Sequence, residues 1–267
     1  MKLATILLAG ALALVSTAAD AFDHTHAAWT AQLARHVAWN AEGTTTSIDY
    51  AGFARDRAAL KAYLDTLSAV TRAEFDGWAK PDRDAFLINA YNAFTVELVL
   101  TGYPGLKSIR DLGSLLRSPW KQRFFVLLGE QRHLDDVEHG LLRGADDFDE
   151  PRIHFAVNCA SIGCPALRPE AFTSAMLEEQ LEDQTRRFLS DRTRNRYDAA
   201  SATLYLSSIF DWYGGDFESG WRGTRDVSSF VARYPAALGL DAATAARIAA
   251  GEADVEFLDY DWALNGK

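Results

Sequence analysis

The chain has 267 residues, 48% of them hydrophobic, and a formal net charge of −10. That length supports one large domain with a sizeable core. The acidic balance is spread along the chain, which argues against nucleic acid or an anionic membrane surface as a partner.

Residues 1–21 read as a targeting segment. Lys2 supplies a short positive start, residues 4–15 are apolar, and Ala19-Asp20-Ala21 offers an A-x-A cleavage site. The run is too short to span a bilayer. It predicts a periplasmic or secreted protein whose domain covers residues 22–267. No later stretch reads as a membrane helix. Export would place the chain where disulfides persist.

Residues 27–40 have apolar Trp29, Leu33 and Val37 at helical spacing. Residues 47–50 read as a short extended piece, and residues 51–70 as a helix with Leu60, Tyr63, Leu64 and Leu67 inward. Thr71-x-x-Glu74 fits a capping box for a third helix, and Pro81 breaks the pattern. Residues 82–100 form the most apolar helix, on which Asn89 and Asn92 share a face. Their amides suit either the backbone of a neighbouring loop or a binding role beside a reacting group. Residues 123–128 and 132–134 read as a strand pair. Asp135 would then cap a short helix, with Asp135-x-x-Glu138 as its capping box. Residues 152–158 read as a strand and residues 159–168 as a loop. Thr173 would cap a helix reaching about residue 189. Strands at 203–206 and 255–258 flank helices at 227–233 and 242–250. The fold class is α+β in a single domain, a helical N-terminal half packed on a small antiparallel sheet.

The only cysteines are Cys159 and Cys164, in R-I-H-F-A-V-N-C-A-S-I-G-C-P. A loop leaving a strand end is a common position for catalytic groups, so Cys159 is well sited as a nucleophile. A thiol needs a nearby imidazole or cation to yield thiolate. His139 and His154 are the two bases within reach, and Glu138 could orient an imidazole. In a strand, His154 and Cys159 would face opposite ways unless the chain bends at Asn158. Backbone N–H groups of residues 160–164 could hold an oxyanion. The alternative for the cysteines is a small disulfide loop. The paired C-x-x-C spacing of a zinc site is absent, and neither metal nor cofactor is expected. Trp212 and Tyr213 suit a core or a ligand groove equally.

Several segments together resemble the bacterial DUF547 family, a domain of unknown function. They are F-L-I-N-A-Y-N-A-F at 86–94, L-D-D-V-E-H-G-L-L-R at 134–143, H-F-A-V-N-C-A-S-I-G-C-P at 154–165, S-S-I-F-D-W-Y-G-G-D-F at 207–217 and Y-D-W-A-L-N at 260–265. F-D-H at 22–24 adds a further short match. The resemblance implies a distant relation to papain-like or transglutaminase-like cysteine hydrolases. It also implies that plant relatives keep a cysteine matching Cys159 and carry serine in place of Cys164, which favours Cys159 as nucleophile. One departure stands out. Papain-like enzymes open a central helix with the cysteine, ahead of the histidine, whereas here the apolar helix carries Asn89 and Asn92 and the cysteine comes late.

Three functions follow as expectations. The first is an exported thiol hydrolase or acyl transferase acting on an amide, peptide or thioester. Its site would be Cys159, His139, His154 and Glu138, with Asn89, Asn92, Trp212 and Tyr213 as binding residues. The second is a non-catalytic periplasmic binding or scaffold module for a small molecule or peptide. The third is a redox-responsive pair in which Cys159 and Cys164 cycle between dithiol and disulfide.

Overall fold

The computed structural model describes residues 21–114, 117–145 and 147–267. Apart from Ala21, the targeting segment expected at residues 1–21 lies outside the described residues. Helix α1 (Ala27–His36) turns Trp29 and Leu33 inward. It ends sooner than the periodicity predicts, because Val37 goes extended while its N–H still reaches Leu33 O. Strand β1 (Val37–Trp39) pairs antiparallel with β2 (Thr46–Ile48). The helix expected over 51–70 divides at Asp56 into α2 (Tyr50–Arg55) and α3 (Arg57–Ala69). The expected apolar stripe of α3, from Leu60 to Leu67, is buried. Thr71 caps α4 (Arg72–Asp76) by accepting from the Glu74 N–H at 3.2 Å.

Helix α5 (Lys80–Leu100) is the axis of the molecule, and every residue from Ala85 to Leu100 is buried. Pro81 sits in its first turn, where an N–H has no helical partner in any case, so the proline begins this helix and does not interrupt it. Burial on all sides leaves no solvent for polar side chains. Glu97 is met by Arg57, at 2.6 and 3.1 Å. Asn89 donates to Phe172 O at 2.7 Å and accepts from Phe172 N–H at 3.0 Å. Asn92 donates to Ala156 O at 2.9 Å and accepts from Asn158 N–H at 2.8 Å. Both amides therefore satisfy the backbone of loops laid across α5, as buried polar groups must be satisfied.

Strands β3 (Phe125–Leu127) and β4 (Glu130–Arg132) form an antiparallel hairpin. The short helix expected after Asp135 is wound as a π-helix, Asp136–Leu142, and Asp135 makes no side-chain cap. The capping box read at 135–138 is therefore not formed, because the Glu138 carboxylate turns to the Tyr213 hydroxyl at 2.7 Å. The strand expected over 152–158 is a 3-10 turn, Pro151–Phe155. Pro151 has no N–H for a ladder and its ring fixes a helical φ. Arg152 then draws inward, fully buried, to Glu150 at 2.7 Å and to Glu178 at 3.0 Å. Hydrogen bonds from Arg152 hold the Glu178 carboxyl down at about 2.

Helix α6 (Leu177–Ser190) starts later than Thr173, whose N–H instead meets Gln180 Oε1 at 3.0 Å. Strands β5 (Arg196–Asp198) and β6 (Thr203–Ser207) pair antiparallel. The short helices α7 (Ser208–Trp212), α8 (Gly214–Phe217), α9 (Val227–Val231), α10 (Pro235–Leu238) and α11 (Ala242–Ala249) follow. They carry the crossover that lets β7 (Asp254–Leu258) lie parallel to β6. The sheet is thus mixed, where a wholly antiparallel one was expected, because this helical crossover intervenes between its last two strands. The α+β, single-domain architecture is as expected.

Two apolar clusters form the interior. One surrounds α5 and includes Ile153 and Val157. The other stacks Phe155, Phe188, Phe210, Phe217 and Phe230. The segment from Pro151 to Val157 is wedged between them, its alternate residues sunk in opposite clusters. Replacing Asn92 by Ala should cost about 2–4 kcal/mol, because it strands two buried backbone groups of this segment. Urea denaturation measures it, and a loss below about 1 kcal/mol would mean that other partners replace the amide.

Candidate functional site

Beyond this wedge the chain opens into a cavity of about 190 Å3. Glu138, His139, His154, Cys159, Trp212 and Tyr213, six of the eight residues singled out from sequence, line it together. Asn89 and Asn92 are not among its lining residues. They lie beneath, holding the backbone that leads to it.

Cys159 and Cys164 are joined as a disulfide. The loop that bears them is held from many sides. Ala160, at φ +65°, takes a left-handed conformation that a non-glycine residue rarely adopts, immediately after Cys159. Its N–H goes to Asn158 Oδ1 at 3.0 Å. The N–H groups of Ile162 and Gly163 donate to Ala263 O and Asp261 O, at 2.8 and 2.9 Å, and that of Cys164 to Ser161 O at 3.0 Å. These amides, expected as oxyanion donors, are therefore already committed to the loop and the C-terminal segment. Two other donors face the sulfurs. The Cys159 N–H points at Cys164 Sγ at 2.9 Å. The Tyr260 hydroxyl lies 3.0 Å from Cys159 Sγ and 3.1 Å from Cys164 Sγ, and Ser161 Oγ donates to it at 3.2 Å. Burial pushes the Tyr260 phenol well up, so it keeps its proton. Gly163 is required here, since a Cβ would meet the Tyr260 ring at 2.9 Å.

The two histidines differ. His154 comes from the 3-10 turn and is buried, with its ring stacked on Tyr213 at 3.9 Å. Its Nε2 lies 2.7 Å from Asp216 Oδ2, and its Nδ1 is buried without a hydrogen-bond partner. A carboxylate only accepts, so the proton of neutral His154 sits on Nε2 and the Nδ1 lone pair is free. Burial lowers the imidazole against the pull of Asp216. For Asp216, burial alone would raise the carboxyl. Hydrogen bonds from His154 and from Arg143, at 2.6 and 3.0 Å, hold it far below the ordinary range. His139 is exposed, and its Nδ1 accepts from Arg143 Nη1 at 2.8 Å. Glu138, read as the group that orients an imidazole, accepts instead from Tyr213. The orienting carboxylate found at an imidazole is Asp216.

Trp120, Trp212 and Trp262 wall the outer cavity with Tyr260. Trp212 stacks on Trp262 at 5.7 Å, and Tyr260 lies 4.5 Å from Trp262. Asp135 lines the same wall, and burial raises its carboxyl. Asp216, Arg143 and Tyr260 were not singled out from sequence. Each nevertheless lies inside a quoted motif, at W-Y-G-G-D-F, L-D-D-V-E-H-G-L-L-R and Y-D-W-A-L-N. The signal was present, but polar residues within aromatic runs read as packing.

The molecule is thus an α+β domain in which a cysteine pair, an imidazole–carboxylate pair and an aromatic wall enclose one cavity. Residues 75–189 match the family model of DUF547, described as a protein of unknown function, and this segment is a DUF547 domain. The resemblance read from the motifs extends beyond it on both sides. No curated protein and no solved structure matches the chain.

Acid should loosen the site through two groups. Asp216 titrates far below the ordinary carboxylate value of about 3.9, so its contribution is complete above that pH and is lost as pH falls below it. His154, lowered by burial, costs stability as pH falls below about 6.5. In Asp216→Asn, the deficit in denaturation midpoint against the wild type should be large at pH 7 and shrink toward pH 3. A deficit unchanged with pH would remove the ionised carboxylate from the account.

Proposed function

We propose that the chain is an exported, cysteine-dependent hydrolase or acyl transferase, acting on an amide, peptide or thioester once its disulfide is reduced. The observation that carries this reading is His154. An imidazole oriented by a carboxylate, with its other nitrogen buried and unpartnered, shares a cavity with Cys159. An oriented imidazole and a cysteine sulfur are the two groups such a reaction needs, and opening the disulfide frees Cys159 Sγ to move within reach of Nδ1. Export is supported by the cysteine pair, which suits an oxidising compartment, and by the apolar leader. Among the described residues no helix is long and apolar enough to cross a membrane.

In the dithiol state, reached by a two-electron exchange with an external dithiol, His154 Nδ1 takes the Cys159 proton. The thiolate attacks the substrate carbonyl carbon. The oxyanion that forms accepts from the Cys159 N–H and the Tyr260 hydroxyl, both of which face the sulfurs. As the tetrahedral species collapses, the bond to the leaving group breaks and that group receives the proton from His154. Water, or an acceptor amine, then gives a proton to His154 and attacks the thioester, and Cys159 leaves as thiolate.

A second reading, a dithiol–disulfide cycle without acyl chemistry, is favoured by the closure of the same pair. Cys164→Ala separates the two, since it abolishes any cycle and leaves Cys159 free. In that variant the pH midpoint of Cys159 alkylation by iodoacetamide should fall below the ordinary value of about 8.5 and return toward it in Cys164→Ala/His154→Ala. Mixing with p-nitrophenyl acetate should release a burst approaching one p-nitrophenolate per chain, absent in Cys159→Ala. An ordinary midpoint, indifferent to His154, would sink the hydrolase reading.

A further inference from the structure

The outer cavity has a composition that the thiol chemistry does not use. Its walls are the indoles of Trp120, Trp212 and Trp262 with the Tyr260 ring, and its acidic groups are Asp135 and Glu138. Among the described residues, no lysine or arginine lines it. Glu138 is buried, accepts from the Tyr213 hydroxyl at 2.7 Å and has Tyr91 as a second hydrogen-bonding side chain. Trp212 is 47% exposed, so one side of the indole wall is accessible from solvent. The outer ring already attracts cations of the chain itself. The Arg110 guanidinium lies 5.1 Å from the Trp262 ring. At the inner end, His154 Nδ1 is a buried polar atom with no partner.

A cavity of electron-rich rings with two carboxyl groups selects for positive charge. Rings attract a cation through their quadrupole, and carboxylates add charge that water screens less inside a cleft. An anionic ligand would meet Asp135 and Glu138 with no cation among the lining residues, and Arg143, packed on Tyr213 and His139, is already paired with Asp216. Lys121 and His139 act electrostatically on Asp135, yet burial still keeps its carboxyl raised.

We infer that the cavity is an alkylammonium subsite, seating a cationic amine such as a lysine-type side chain, between the indole wall and the Asp135–Glu138 carboxyl groups. This deepens the proposed function and rests on it for its catalytic meaning. The seated amine belongs either to the acyl substrate, beside its scissile carbonyl, or to the acceptor that takes the acyl group from Cys159.

The test uses the oxidised protein, which has no free thiol, so its outcome does not depend on whether Cys159 reacts. Ligand-observed NMR titrations compare n-butylammonium with butan-1-ol, choline with 3,3-dimethylbutan-1-ol, and butyrate. Each cation should bind about tenfold tighter than its neutral partner, and butyrate weakest of all. Tighter binding of n-butylammonium points to a lysine-type amine, and tighter binding of choline to a quaternary ammonium. Asp135→Asn, partly exposed, should weaken the cations about three- to tenfold and leave the alcohols unchanged, while Trp212→Ala should weaken the cations about three- to tenfold more than the alcohols. Raising the salt concentration should weaken the cations alone. Equal binding of cations and alcohols, preference for butyrate, or no binding by any probe overturns the subsite. In those cases, a depressed Cys159 alkylation midpoint would still leave the thiol reading standing.

Discussion

From Ala85 to Leu100 helix α5 has no face to water, and it governs this molecule through the partners its two buried asparagines take. Asn89 and Asn92 cannot be solvated, so they take up backbone groups of the segments that cross them. One of those segments runs directly into Cys159. The amides are thus not near the cysteine pair by chance. Burial of the helix fixes the height and register of the chain that bears the sulfur.

The same segment is pinned a second way. Ile153 and Val157 enter the cluster around α5, while Phe155 enters the phenylalanine stack on the other side. Arg152 anchors its start among Glu150, Glu178 and Glu182. A single fully buried guanidinium with several carboxylates is a costly arrangement unless all its hydrogen bonds are made, and here they also tie the turn to α6. Between these anchors His154 has little freedom. Its ring is held flat on Tyr213 and aimed by Asp216. Rigidity of this kind lets a histidine hold one tautomer.

Much of the fold was legible from periodicity alone. The α3 stripe, the apolar run of α5, the cap at Thr71, and strands β6 and β7 all depend on near neighbours in sequence. The errors share a cause, which is dependence on distant partners. Residues 152–158 alternate like a strand, yet the apolar face of that alternation divides between two cores, Ile153 and Val157 in one and Phe155 in the other, and Pro151 with Arg152 winds them into a turn. The capping box at Asp135 fails because Glu138 finds Tyr213, 75 residues away. For the site, the residue types were legible and the pairing was not. A search by spacing looks near the cysteine, whereas the carboxylate at His154 comes from 62 residues further along. The engagement of the loop amides is hidden for the same reason, since Ile162 and Gly163 donate to carbonyls about 100 residues further along.

Tyr260 and Trp262 belong to the last few residues of the chain, and that segment is stitched across the loop of Ile162 and Gly163 and against Ile48. The family match ends at residue 189, well short of them and of Asp216. A fragment trimmed to the matched borders would keep both sulfurs and His154 but lose the carboxylate, the phenol and part of the indole wall. During synthesis the order is equally fixed. The thiols and the imidazole leave the ribosome before the residues that wall them in, so the cavity is completed only when the segment bearing Tyr260 and Trp262 is laid in place.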